Sequence, residues 1–123
     1  MEIEKYQVTS SRTAIYLDAI NKEFPNLQGK LKGLLALSYL SLGLAGESGE
    51  LSNKIKKLIR DSVGEISDEL RKDLSKEIGD CFWYIANICT ELQLDLNEIA
   101  EENIKKLSSR KERGVLTGSG DNR

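Results

Sequence analysis

The chain has 123 residues, 39% hydrophobic and 31% charged, which is one domain of ordinary globular composition and not a disordered segment. A formal net charge of −2 gives no global field to draw DNA, RNA or an anionic membrane surface. Histidine is absent, which removes most zinc sites, His-based catalytic triads and Glu-x-x-His di-iron centres, and leaves carboxylates, amines, guanidinium groups and hydroxyls to carry any chemistry.

The first twelve residues lack the basic-then-apolar order of a signal peptide. The longest uncharged run, Gly33 to Gly46, is 14 residues, too short to span a bilayer, so a cytoplasmic protein is expected. No β-branched alternation is sustained, and the chain reads as four helices. The first runs from about Ser10 to Phe24, stopped by Pro25 and the turn at Asn26–Gly29. The second runs from Lys30 to Asp61, with bending expected at Gly43, Gly46 or Gly49. The third runs from Ser67 to Leu92, capped by Ser67 and carrying Asp68 and Glu69 where the helix dipole favours acids. The fourth runs from Asp95 to Lys111, with Asp95 and Glu98 at capping-box spacing. Residues Gly114 to Arg123 include three glycines and read as a loop or loose tail of a single domain spanning 1–123.

Cys81 and Cys89 are eight residues apart on the third helix, about 12 Å by helical rise, and read as free buried thiols. On the second helix, Leu31, Leu34, Leu35, Leu37, Leu40, Leu42 and Leu44 point around most of the circumference. A helix apolar on all sides must be covered on all sides, which implies a partner subunit: a homodimer or a dimer of dimers.

Acids three apart occur five times, where about three such pairs arise by chance, so context must separate them. Glu65/Asp68 and Asp95/Glu98 sit at helix starts, and Glu98/Glu101 on a solvated face. Glu47/Glu50 and Glu77/Asp80 are mid-helix, beside strongly apolar stretches, where neither capping nor the dipole favours them. Residues three apart share a helical face, so each pair presents two carboxylates in one direction. The faces continue as Glu47, Glu50, Lys54, Lys57 and as Glu77, Asp80, Tyr84, Asn87, Glu91. If the two stripes meet, four carboxylates converge, and like charges so placed need cations among them. An all-oxygen donor set selects Mg²⁺, with Mn²⁺ as a substitute. The competing arrangement pairs these acids with Lys54, Lys57, Lys72 and Lys76 on a solvated surface. Glycines beside both pairs (Gly46, Gly49 and Gly79) are disfavoured mid-helix and point to close approach by a neighbouring helix or ligand.

Glu47-x-x-Glu50, 26 intervening residues, then Glu77-x-x-Asp80 resembles the metal signature of the MazG-like all-α nucleotide pyrophosphohydrolases. The segments Gly46-Glu-Ser-Gly-Glu-Leu51 and Lys76-Glu-Ile-Gly-Asp-Cys-Phe-Trp-Tyr84 are similar too, as is the run Asn103-x-x-Lys106-x-x-x-Arg110. The resemblance spans roughly residues 30 to 113 and implies an all-α, four-helix bundle-like protomer assembled as dimer or tetramer, with sites completed across subunits. It implies Mg²⁺-dependent cleavage of the α–β phosphoanhydride of an NTP or dNTP, giving monophosphate and pyrophosphate. Glu47, Glu50, Glu77 and Asp80 would hold the metal, with Glu47 or Glu50 orienting or deprotonating water. Lys54, Lys106 and Arg110 would hold phosphate, and Asn103 phosphate or sugar. Where some members carry a lysine one turn before the second acidic pair, this chain has Asp73, flanked by Lys72 and Lys76. Alternatives are a dUTP/dCTP diphosphatase or phosphoribosyl-ATP pyrophosphohydrolase of the same fold, or a non-catalytic helical dimer serving as a binding module.

Overall fold

A computed structural model of the chain describes residues 1–122. Among them there are five α-helices and no strand: α1 (Ile3–Ser10), α2 (Tyr16–Glu23), α3 (Gly29–Ser62), α4 (Asp68–Glu91) and α5 (Leu96–Glu112), with one 3₁₀ turn at Ser11–Thr13. The expected first helix is therefore wrong at its start. Helix begins at Ile3, breaks after Ser10 and resumes only at Tyr16. Side chains at the break compete for the backbone: Ser10, Ser11 and Thr13 each donate a hydroxyl to the carbonyl three residues earlier, and Ala14 is extended. The other three helices fall within two residues of expectation, and Ser67 caps α4 by accepting from the Leu70 amide.

α3 is continuous through all its glycines and about 51 Å long by helical rise. It packs along α4 as an antiparallel hairpin, turned by Val63 at φ 52° and Gly64 at φ 86°. Three contacts fix the register: Gly43 faces Tyr84, Ser48 faces Cys81 and Lys54 faces Glu77. One apolar cluster joins α2 to this hairpin through Tyr16, Ile20, Ala36 and Leu40. A second joins the end of α4 to α5 through Ala86, Cys89 and Leu96, with Ile3 and Tyr6 of α1 against it. Both cysteines are free. No helix of the described residues is long and apolar enough to cross a membrane.

The glycines divide differently from expectation. At Gly46, Gly49 and Gly79 an added Cβ meets nothing within 4 Å, so no close approach within the protomer explains them. Gly43 is the close approach, because a Cβ there would lie 2.2 Å from the Tyr84 ring. Gly43→Ala is expected to destabilise by about 1–2 kcal/mol, overpacking outweighing the gain in helix propensity. Alanine at Gly46, Gly49 or Gly79 gains about 0.5–1 kcal/mol of propensity if the protomer is all that matters. Thermal melts of the four variants check both signs, and a loss of stability at the latter three would locate a partner surface.

Tyr16, buried on α2, donates its hydroxyl to the Glu91 carboxylate at 2.5 Å. Burial first, then that hydrogen bond and the Glu91 charge, push its pKa well above the ordinary 10.0. A raised folded-state pKa contributes stability below the unfolded value, and that stability is lost as pH rises past it. Stability is thus expected to decline above about pH 10, with Tyr16 ionising only on unfolding. Absorbance titration of wild type against Tyr16→Phe reads this directly.

Candidate metal centre

The hairpin register brings the two acidic stripes together. Carboxylate oxygens of Glu47 on α3 and of Glu77 and Asp80 on α4 lie within 4.8 Å of one another. Glu77 is buried at 8% exposure, Glu47 is half-buried and Asp80 is exposed, so the group has a closed floor and an open mouth. Glu50, one turn beyond Glu47, is exposed and falls outside this group of three. Burial, followed by the charges of Asp80, Glu50 and Glu77, raises the Glu47 pKa above the usual carboxylate range.

Among the described residues, Lys54 is the cation shown to reach the acids directly. Lys54 Nζ donates to Glu77 Oε1 at 2.6 Å, and that hydrogen bond raises the Lys54 pKa above its ordinary value. Of the pairings with lysine weighed from sequence, Lys54–Glu77 is present, whereas Lys76 turns instead to the exposed Asp73 at 2.9 Å. One ammonium against three convergent carboxylates leaves the group short of positive charge. Three carboxylate oxygens within 4.8 Å of one another form an all-oxygen donor set that fits a hard divalent ion such as Mg²⁺ or Mn²⁺. An open, acid-mixed cleft continues from Lys54 past Lys57, Asp61, Ser62 and Asp73 towards the hairpin end.

The residues of α5 are placed elsewhere in the protomer. Asn103 and Lys106 line a shallow groove with Asp95, Glu98 and Glu102, in which no residue of α3 takes part. Arg110 does not share their exposure: it is 5% exposed and donates to the Asp121 carbonyl at 2.6 Å, tying down the glycine-rich tail. Arg123, the last residue of that tail, lies outside the described residues.

Two tyrosines neighbour the acids: Tyr84, on the stripe already read from sequence, and Tyr6, which sequence reasoning missed. Tyr84 lies over Gly43, its pKa raised by burial and then by the nearby Tyr39, Glu47 and Asp80. Its place one turn after Asp80 was the available signal. Tyr6 of α1 also feels Asp80, after burial, and had no signal because α1 was not expected to be helical.

Comparison with known proteins accords with this geometry. Residues 36–115 match the MazG nucleotide pyrophosphohydrolase domain, a span that includes Glu47, Glu50, Glu77, Asp80 and the α5 residues Asn103, Lys106 and Arg110. Over 123 residues the chain is 44% identical to the Gene 37 protein of Mycobacterium phage L5, covering 100% of both chains. No solved structure matches.

Proposed function

The chain belongs to the MazG nucleotide pyrophosphohydrolase family, and from that premise we propose that it hydrolyses the α–β phosphoanhydride of an NTP or dNTP in a Mg²⁺-dependent reaction, releasing monophosphate and pyrophosphate. The observation that carries this reading is the convergence of Glu47, Glu77 and Asp80 within 4.8 Å. These three would hold the metal, and Glu50, exposed one turn from Glu47, joins them by rotating its side chain. When bound, the ion supplies positive charge to phosphate oxygens and lowers the pKa of water. Glu47 or Glu50 would orient the attacking water or take its proton. Lys54, which donates to Glu77 at 2.6 Å, would turn to a phosphate oxygen where a bound metal neutralises the carboxylates.

The working unit is a dimer or a dimer of dimers. Large apolar side chains support this: Leu31, Leu42 and Ile59 are 64%, 74% and 71% exposed in the single chain. Assembly would also bring the α5 residues Asn103, Lys106 and Arg110 of one copy towards the carboxylates of another, with Arg110 released from the tail.

The test is a substrate panel. Purified protein is incubated with Mg²⁺ and each common NTP and dNTP, and with dUTP, while pyrophosphate and orthophosphate are assayed separately. Pyrophosphate with monophosphate, lost in Glu47→Gln, is the expected result. A folded oligomer that turns over none of them with Mg²⁺ or Mn²⁺ would favour a binding module.

A further inference from the structure

The helix that carries Asn103, Lys106 and Arg110 is held to the body near its first turn. From 97 to 109 every side chain is exposed except Ala100, and α5 packs on α1. Gln7 of α1 makes the polar part of that contact. Its Nε2 donates to the Leu94 carbonyl at 2.8 Å, and its Oε1 accepts from the Leu96 amide at 2.9 Å.

That amide is one of the four at a helix start with no internal partner. The Asp95 carboxylate takes the amides of Asn97 and Glu98, and the Asp95 carbonyl takes that of Ile99. Gln7 serves Leu96, so the orphan amides of Leu96, Asn97 and Glu98 all have side-chain acceptors, while Ile99 makes the first regular helical bond. The corner it grips includes Gln93 at φ 56°, a left-handed conformation that a residue with a side chain adopts at a cost. α1 is itself anchored, since the Tyr6 ring stacks on Phe82 at 4.6 Å and Ile3 packs against the cluster around Leu96. All of α1 lies outside the matched span 36–115.

We propose that Gln7 is a positioning residue: its carboxamide fixes the direction in which α5 leaves α4, and so where the α5 side chains meet nucleotide. The second clause rests on the phosphate-binding role proposed above for α5.

Gln7→Ala removes these hydrogen bonds and a longer third one from Nε2 to Thr90 Oγ1 at 3.4 Å, whereas Gln7→Glu keeps the acceptor for the Leu96 amide. Amide hydrogen exchange and steady-state kinetics are measured well below the melting point. Gln7→Ala is expected to speed exchange at residues 96–100 about tenfold, the equivalent of one hydrogen bond, with the α3–α4 hairpin unchanged. KM for nucleotide rises about five- to tenfold at nearly constant kcat, as for lost positioning of a binding group. Gln7→Glu restores protection at the Leu96 amide alone, because its second oxygen cannot donate to the Leu94 carbonyl. Unchanged exchange, acceleration spread over all helices, or local acceleration with unchanged KM would each overturn the proposal. If the wild type hydrolyses no nucleotide, the catalytic reading fails separately. The exchange pattern then decides the placement alone: acceleration confined to 96–100 supports it, and any other pattern overturns it.

Discussion

Glu77→Gln is expected to lower kcat/KM for the best nucleotide by about 100- to 1,000-fold, the range typical of removing one preorganised charge-stabilising group from an active site. The substitution preserves shape and removes charge at the most buried of the three convergent carboxylates. It also replaces the ion pair with Lys54 at 2.6 Å by a weaker hydrogen bond to a neutral amide, so a lysine proposed to bind phosphate is held less firmly. The loss should be mainly one of metal use: the Mg²⁺ concentration for half-maximal rate rises, and Mn²⁺ titration followed by electron paramagnetic resonance shows weaker binding. Unaltered Mn²⁺ binding alongside a lost rate would place Glu77 in catalysis by another route.

The second large effect is on stability. Leu40 is completely buried between α2 and the hairpin, in a cluster with Tyr16, Ile20 and Ala36. Leu40→Ala leaves a cavity in a core with few fully buried side chains and is expected to cost about 3 kcal/mol, within the usual 2–5 for such a deletion. For a domain of this size that lowers the melting temperature by roughly 10 °C. Because Leu40 lies about two turns before Glu47 on the same helix, the hairpin register and the metal group should loosen together. A melt in the presence and absence of Mg²⁺ measures both: the midpoint falls, and the stabilisation given by Mg²⁺ shrinks.

The carboxylate pairs were legible because an acid pair mid-helix beside apolar residues has few local explanations, and a 3.6-residue period converts spacing into a shared face. Ser67 and Asp95 were legible as caps because capping is local chemistry. α1 was not legible. It is eight residues long, weakly amphipathic, and held by Tyr6 on Phe82 and Gln7 on the α4–α5 corner, contacts more than seventy residues away in sequence. The role of Gly43 was hidden for the same reason, since only the register of two helices places Tyr84 against it. Arg110 and Lys106, four apart on α5, share a helical face but not an environment. The tail carbonyl of Asp121 draws Arg110 inward while Lys106 stays in solvent.

Product analysis by ³¹P nuclear magnetic resonance tests the central claim most directly. Wild-type protein, Mg²⁺ and the preferred nucleoside triphosphate are followed until the substrate is consumed. The account predicts equal amounts of nucleoside monophosphate and pyrophosphate, with no diphosphate at any time and no turnover once the metal is chelated. Nucleoside diphosphate with orthophosphate, or hydrolysis that persists without divalent metal, would contradict it.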